Sequence, residues 1–158
     1  MNPELIRFLI AIGLIFLGVG AYKLINRVVL NRANRKQLGL EGLKPKTPAI
    51  LYFTTPYCVP CKTTQRPALA RLLELTGDQV QLIQVDALEQ PDLAESWGVL
   101  SVPTTFVIDS SGQARRVNHG VTSAEKLLEQ LEMVEGRSLK KSAGAELHSR
   151  QAGAPGMD

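Results

Sequence analysis

The chain has 158 residues, 44% of them hydrophobic, a length that suits one modest domain. Only two cysteines are present, which excludes a disulfide-stapled scaffold. The net charge of +3 divides into +6 over residues 1–46, −5 over 47–135 and +2 over 136–158. The basic character belongs to the ends and the middle is acidic, which argues against nucleic acid as a partner of that middle.

Residues 8–22 carry no charge. That run is shorter than the roughly 20 residues that span a bilayer. With Arg7 and Lys23 snorkelling, the usable stretch becomes residues 5–25, about 31 Å as a helix. Tyr22 then sits at the interface as an aromatic anchor. We read residues 1–30 as an N-terminal transmembrane anchor spanning 5–25. A cleaved signal peptide fits less well, because Glu4 stands in the leading region and no small-residue cleavage pattern comes after the apolar run. Lys23, Arg27, Arg32, Arg35 and Lys36 flank the stretch on its C-terminal side against Arg7 on the other. The positive-inside rule then puts the rest of the chain in the cytoplasm, with the protein a single-pass one in the cell membrane.

Residues 31–46 form a basic linker with Gly39 and Gly42, although the membrane helix can run on as far as Lys36. Pro45 and Pro48 forbid a continuous helix from the linker into residue 49 and beyond. Residues 49–54 are a near-continuous apolar run, the pattern of a strand buried on both faces. The chain then reads Thr54-Thr55-Pro56-Tyr57-Cys58-Val59-Pro60-Cys61-Lys62 and passes into an amphipathic helix over 62–75, interrupted by Pro67. A cysteine at a helix start meets unpaired backbone N–H groups and the positive end of the dipole. Both favour thiolate, so Cys58 is expected to titrate below the free value of about 8.5. Cys61, one turn on, can attack a disulfide formed at Cys58. The pair reads as a dithiol in which Cys58 is the nucleophile and Cys61 the resolving thiol. A zinc half-site is the alternative, but zinc takes four ligands and only His119 and His148, single and distant, remain.

Farther along, 80–86 reads as a strand and 91–97 as a short helix, with Pro91 near its start and Gly98 as its stop. Strands over 104–109 and 114–118 meet at a hairpin about Ser111-Gly112. Ser123 caps a last helix over 124–135. Trp97 reads as a core aromatic and His119 as a strand-end histidine. Residues 136–158, rich in Gly, Ser and Ala, read as a disordered tail.

Residues 47–135 resemble a thioredoxin domain. Phe53 leads into the redox motif, Pro60 precedes its second cysteine and Lys62 follows it. Pro67 stands where thioredoxins carry a kinking proline, and Val102-Pro103-Thr104 resembles their cis-proline loop. Asp109-Ser110-Ser111-Gly112 looks like the later hairpin turn, and Gly120 like the glycine before the last helix. The resemblance implies an α/β thioredoxin-like fold, a central mixed sheet flanked by helices, here preceded by one transmembrane helix. It also implies a loop at Val102, Pro103 and Thr104 that accepts a substrate strand, with Tyr57 and Pro60 supporting the motif.

This sequence departs from the family at three places. The usual Trp-Cys-Gly-Pro-Cys is Tyr57-Cys58-Val59-Pro60-Cys61, the buried aspartate six residues before the first cysteine is Tyr52, and its lysine companion corresponds to Leu82. Without that carboxylate, Cys61 is expected to lose its proton less readily. The family's additional N-terminal strand and helix have no counterpart, because the linker occupies their place.

The expected activity is that of a membrane-tethered thiol–disulfide oxidoreductase. It needs no cofactor beyond the Cys58–Cys61 dithiol, and no metal. Its partners are protein thiols and disulfides near the membrane, with the bilayer holding the N-terminal helix. A binding or redox-sensing module without turnover is the alternative function. An extracytoplasmic domain, common among anchored proteins of this family, is the alternative placement.

Overall fold

A computed structural model describes residues 3–36 and 43–139. Helix α1 (Pro3–Lys36) is 34 residues long. Within it Arg7–Asn31 is long and apolar enough to cross a membrane. Its large apolar side chains from Phe8 to Ile25 are mostly exposed.

The strands β1 (Ala49–Thr54), β2 (Gln81–Asp86), β3 (Thr104–Ile108) and β4 (Ala114–His119) form one sheet in the order β2-β1-β3-β4. β1 runs parallel to β2 and antiparallel to β3, and β4 runs antiparallel to β3. The helices α2 (Arg66–Thr76), α3 (Pro91–Ser96) and α4 (Ala124–Glu135) complete the order. β1 is buried along its whole length, as its apolar run requires. Ile50 and Tyr52 pack with Leu69, Leu72, Leu127 and Leu131 from α2 and α4. Leu51 and Phe53 pack on the other face with Trp97, Phe106 and Val117. There Phe53, Trp97 and Phe106 form a cluster with ring centroids 4.9–6.3 Å apart. Such ring pairs contribute about 1 kcal/mol each beyond the area they bury.

The register defines two ends. Thr54 pairs with Asp86, Phe53 with Thr104 and Thr104 with His119 at one end. Ala49, Gln81, Ile108 and Ala114 lie at the other. The hairpin is at this far end, where Gly112 turns the chain at φ +81°. Ser123 caps α4 by accepting the Lys126 N–H, and Gly136 ends it in the left-handed region at φ +66°.

Three local readings of the sequence differ from the structure. First, the C-terminal part of the apolar helix packs on the domain. Val29, 7% exposed, lies with the Trp97 cluster, and Leu30 is partly buried beside it. The end of α1 therefore contributes to the core of the domain. Residues 37–42 of the expected linker lie outside the described residues.

Second, the α-ladder does not start at Lys62. Residues Cys61–Gln65 form a π-turn, closed by the Arg66 N–H on the Cys61 carbonyl, and α2 starts at Arg66. Pro67 comes directly after the π-turn, inside one helical run from residue 59 to Thr76, so the interruption expected at Pro67 takes the form of the π-turn just before it.

Third, the tail is ordered for a few residues past α4. The Leu139 side chain is fully buried in the α2/α4 cluster, and its N–H donates to Glu132 Oε1 at 3.0 Å. Residues 140–158 lie outside the described residues.

Candidate active site

β1 ends at Thr54 and the chain turns at once, with the Cys58 N–H donating to the Thr55 carbonyl at 3.3 Å. Cys58 is 8% exposed and Cys61 is fully buried. The two are joined in a disulfide with Cα atoms 5.3 Å apart. The Cys61 N–H points at Cys58 Sγ, 3.2 Å away. An amide aimed at that sulfur, at the start of a helical turn, stabilises negative charge there once the bond is reduced. The turn itself is held by the Lys62 N–H on the Cys58 carbonyl at 3.3 Å and by Thr63 Oγ1 donating to the Val59 carbonyl at 3.1 Å.

The Val102–Pro103 peptide bond is cis. Pro103 immediately precedes β3, whose first residue, Thr104, pairs with Phe53 of β1. The loop therefore lies at the same end of the sheet as the cysteines. Its geometry is set by Thr104 Oγ1 donating to the Ser101 carbonyl at 2.7 Å and by the Gly120 N–H donating to the Pro103 carbonyl at 2.8 Å. Gly120 has φ +84°, a conformation that only glycine takes readily. Around this end Tyr57, Val59 and Leu100 are large apolar side chains standing in solvent. Pro60, also exposed, opens the π-turn.

Tyr52, in place of a carboxylate, is fully buried in the cluster that holds Cys58 and Cys61, and its hydroxyl has no hydrogen-bond partner among the described residues. A buried unpaired hydroxyl costs stability, and such groups are rare enough to mark a position of interest. Leu82 of β2 is partly buried against the same cluster. Trp97 lies in the opposite core, and His119 closes β4 with its side chain exposed. No group of three or more His, Cys, Asp or Glu residues is arranged to hold a metal among the described residues.

Sequence reasoning missed Gln65. This residue is completely buried, and its amide pairs with the Thr122 backbone in both directions. A glutamine amid Lys62-Thr63-Thr64 and Arg66 reads as one more polar residue of an exposed turn, and nothing local marks it as buried.

The thioredoxin family model matches residues 32–133, more than half of the chain. The chain is 32% identical over 77 residues to the thioredoxin of Bacillus subtilis, covering 49% of this chain and 72% of that one. It is 30% identical over 92 residues to the thioredoxin of Rhodospirillum rubrum, covering 58% and 86%. Against thioredoxin 1 of Synechococcus elongatus it is 30% identical over 67 residues, 42% of this chain and 62% of that protein's length. Among solved structures, the fold is similar to that of thioredoxin-2 of the malaria parasite, with a TM-score of 0.53 and 24% identity over 58% of this chain and 87% of the other. Chloroplastic thioredoxin z gives the same score and identity, covering 58% of this chain and 80% of its own.

Proposed function

The chain belongs to the thioredoxin family, and on that premise we propose that it is a membrane-tethered thiol–disulfide oxidoreductase acting on protein partners close to the bilayer. The observation that carries the reading is the Cys61 N–H aimed at Cys58 Sγ in a Cys-x-x-Cys pair at the end of β1. In the reducing direction, the Cys58 thiolate attacks one sulfur of a partner disulfide. That S–S bond breaks, its other sulfur leaves as a thiolate, and a mixed disulfide forms. Cys61, giving its proton to solvent, then attacks Cys58 Sγ. The mixed bond breaks, the partner leaves with both thiols reduced, and the Cys58–Cys61 disulfide closes. Oxidation of partner thiols is the same sequence reversed. The dithiol is the whole redox centre, with no added cofactor, and the loop at Val102, Pro103 and Thr104 receives the partner's strand, with Tyr57 and Pro60 flanking the reacting sulfur.

α1 is the tether in this reading, spanning the bilayer over residues 5–25 and holding the domain on the cytoplasmic side. The basic flank from Lys23 to Lys36 supports that side. Tethering confines the domain to membrane-proximal partners and raises its effective concentration against them.

A binding or redox-sensing module without turnover is the second reading. The uncharged Tyr52 beneath the pair favours it, because no carboxylate stands at that position to take the proton of Cys61. One assay separates the two. The full chain in detergent micelles, supplied with dithiothreitol, is expected to reduce a protein disulfide over many cycles, and Cys58→Ser is expected to abolish this. Stoichiometric release without cycling would establish the second reading. For the tether, a membrane-impermeant thiol reagent applied after reduction is expected to label Cys58 and Cys61 only once cells are permeabilised. Labelling of intact cells would place the domain outside.

A further inference from the structure

We propose that Gln65 is a positioning residue for the redox pair, holding the resolving cysteine's turn in register with the Pro103 loop. Gln65 is the last residue of the π-turn that begins at Cys61. Its side chain is fully buried, and the amide makes a two-point clamp. Gln65 Nε2 donates to the Thr122 carbonyl at 3.2 Å, and the Thr122 N–H donates to Gln65 Oε1 at 2.8 Å. Thr122 is itself buried, 57 residues away in sequence. Two residues earlier in the same segment, the Gly120 N–H holds the Pro103 carbonyl at 2.8 Å.

The segment 120–122 is thus tied at one end to the loop before β3 and at the other to the turn that carries Cys61. A π-turn is a register irregularity, and such irregularities persist where surrounding contacts determine them. The clamp supplies those contacts, because the alternative leaves Thr122 N–H and C=O buried and unpaired.

This role deepens the reading of Cys58 and Cys61 as a working pair and rests on it. The step most dependent on the clamp is resolution. Cys61 Sγ must attack Cys58 Sγ in line with the bond to the partner sulfur, which leaves as a thiolate. The first step needs only Cys58, the less buried of the two cysteines. Displacing the π-turn by a fraction of an ångström therefore slows the second step and spares the first.

The full chain, reduced and held in detergent micelles, is mixed with dithiobis(nitrobenzoate). Each step releases one coloured nitrothiolate, first on attack by Cys58 and then on resolution by Cys61. Gln65→Met, similar in length but unable to clamp, is expected to slow the second release by about tenfold with the first unchanged. Gln65→Asn keeps the amide but withdraws it by one methylene, breaking the clamp without burying a charge, and is expected to slow the second release with the first unchanged. If Gln65→Met does not fold, Gln65→Asn decides alone. Folded variants with an unaltered second step, or with both steps slowed equally, would overturn the clamp as a positioning device. If the unsubstituted chain itself gives no second release, the redox reading fails instead, and the two failures are distinct.

Discussion

At the far end of the sheet Asp109 gathers the hairpin around its carboxylate. Oδ1 accepts from the Ser111 N–H, the Ser111 hydroxyl and the Gln113 N–H at 2.6–2.9 Å, and Oδ2 accepts from Arg115. At the redox end, by contrast, Tyr57 is 85% exposed and Leu100 86%. The same four strands thus end in a closed polar knot on one side and an open apolar rim on the other. Exposed apolar side chains contribute little to folding, and in the proposed reading this rim is the surface that meets partners. The knot turns its bonds inward and serves the fold.

Breaking the knot is expected to have the largest effect on stability. Burial pushes the Asp109 carboxyl up, but the bonds from Ser111, Gln113 and Arg115 outweigh it and hold the group below its ordinary value of 3.8. Asp109→Ala is expected to cost about 1–3 kcal/mol in denaturant melts near neutral pH, with disulfide exchange retained. Because the folded value is the depressed one, this contribution is complete above the ordinary carboxylate range and is lost as pH falls through the folded value. The gap between parent and variant therefore closes on acidification, and a gap that stays constant into acid would contradict the assignment.

Tyr52→Phe tests the buried side of the redox end. Removing an unpaired hydroxyl is expected to leave the oxidised protein as stable as before or up to about 1 kcal/mol more stable. A clear loss in the melting curve would mean that the hydroxyl is bonded.

Leu100→Ser sharpens the contrast from the rim. Its stability is expected to change by less than about 0.5 kcal/mol, since the side chain is in solvent already. Exchange with a protein disulfide should slow by about fivefold, the worth of roughly 1 kcal/mol of apolar contact, while exchange with a small disulfide is unaffected. Equal slowing with both substrates would remove the rim from partner contact. The smallest effect belongs to a pair at neither end. Arg71 and Glu125 meet at 2.9 Å with both side chains about two-thirds exposed, and Arg71→Ala is expected to leave the unfolding midpoint unmoved.

The order of strands and helices is legible in the sequence because each rests on a local signal. The apolar run of β1, the proline and glycine around α3 and the serine before α4 act through backbone geometry and burial that a few residues specify. The cysteine motif is equally plain, since spacing and placement at a strand–helix junction are both linear features. Val29 and Leu30 are not legible as core. Lys23, Asn26, Arg27 and Asn31 stand around them, so the stretch reads as the basic flank of the apolar run, and three apolar residues there are too few to set a periodicity. Leu139 is a single leucine in a stretch without periodicity, and its burial depends on a groove made by distant residues. The Gln65 clamp joins residues 57 positions apart, and neither partner differs locally from an exposed polar residue.

Cys58 and Cys61 are assigned different tasks, and the most direct measurement of that division is the mass of the protein after its reduced form is mixed with a disulfide-bonded peptide. The parent should return as the Cys58–Cys61 disulfide with nothing attached. Cys61→Ser should stall with one peptide bound at Cys58, released by dithiothreitol, and Cys58→Ser should bind little or none. A stalled adduct on Cys61 in the Cys58→Ser protein, formed as fast as that on Cys58, would contradict the assignment of nucleophile and resolving thiol.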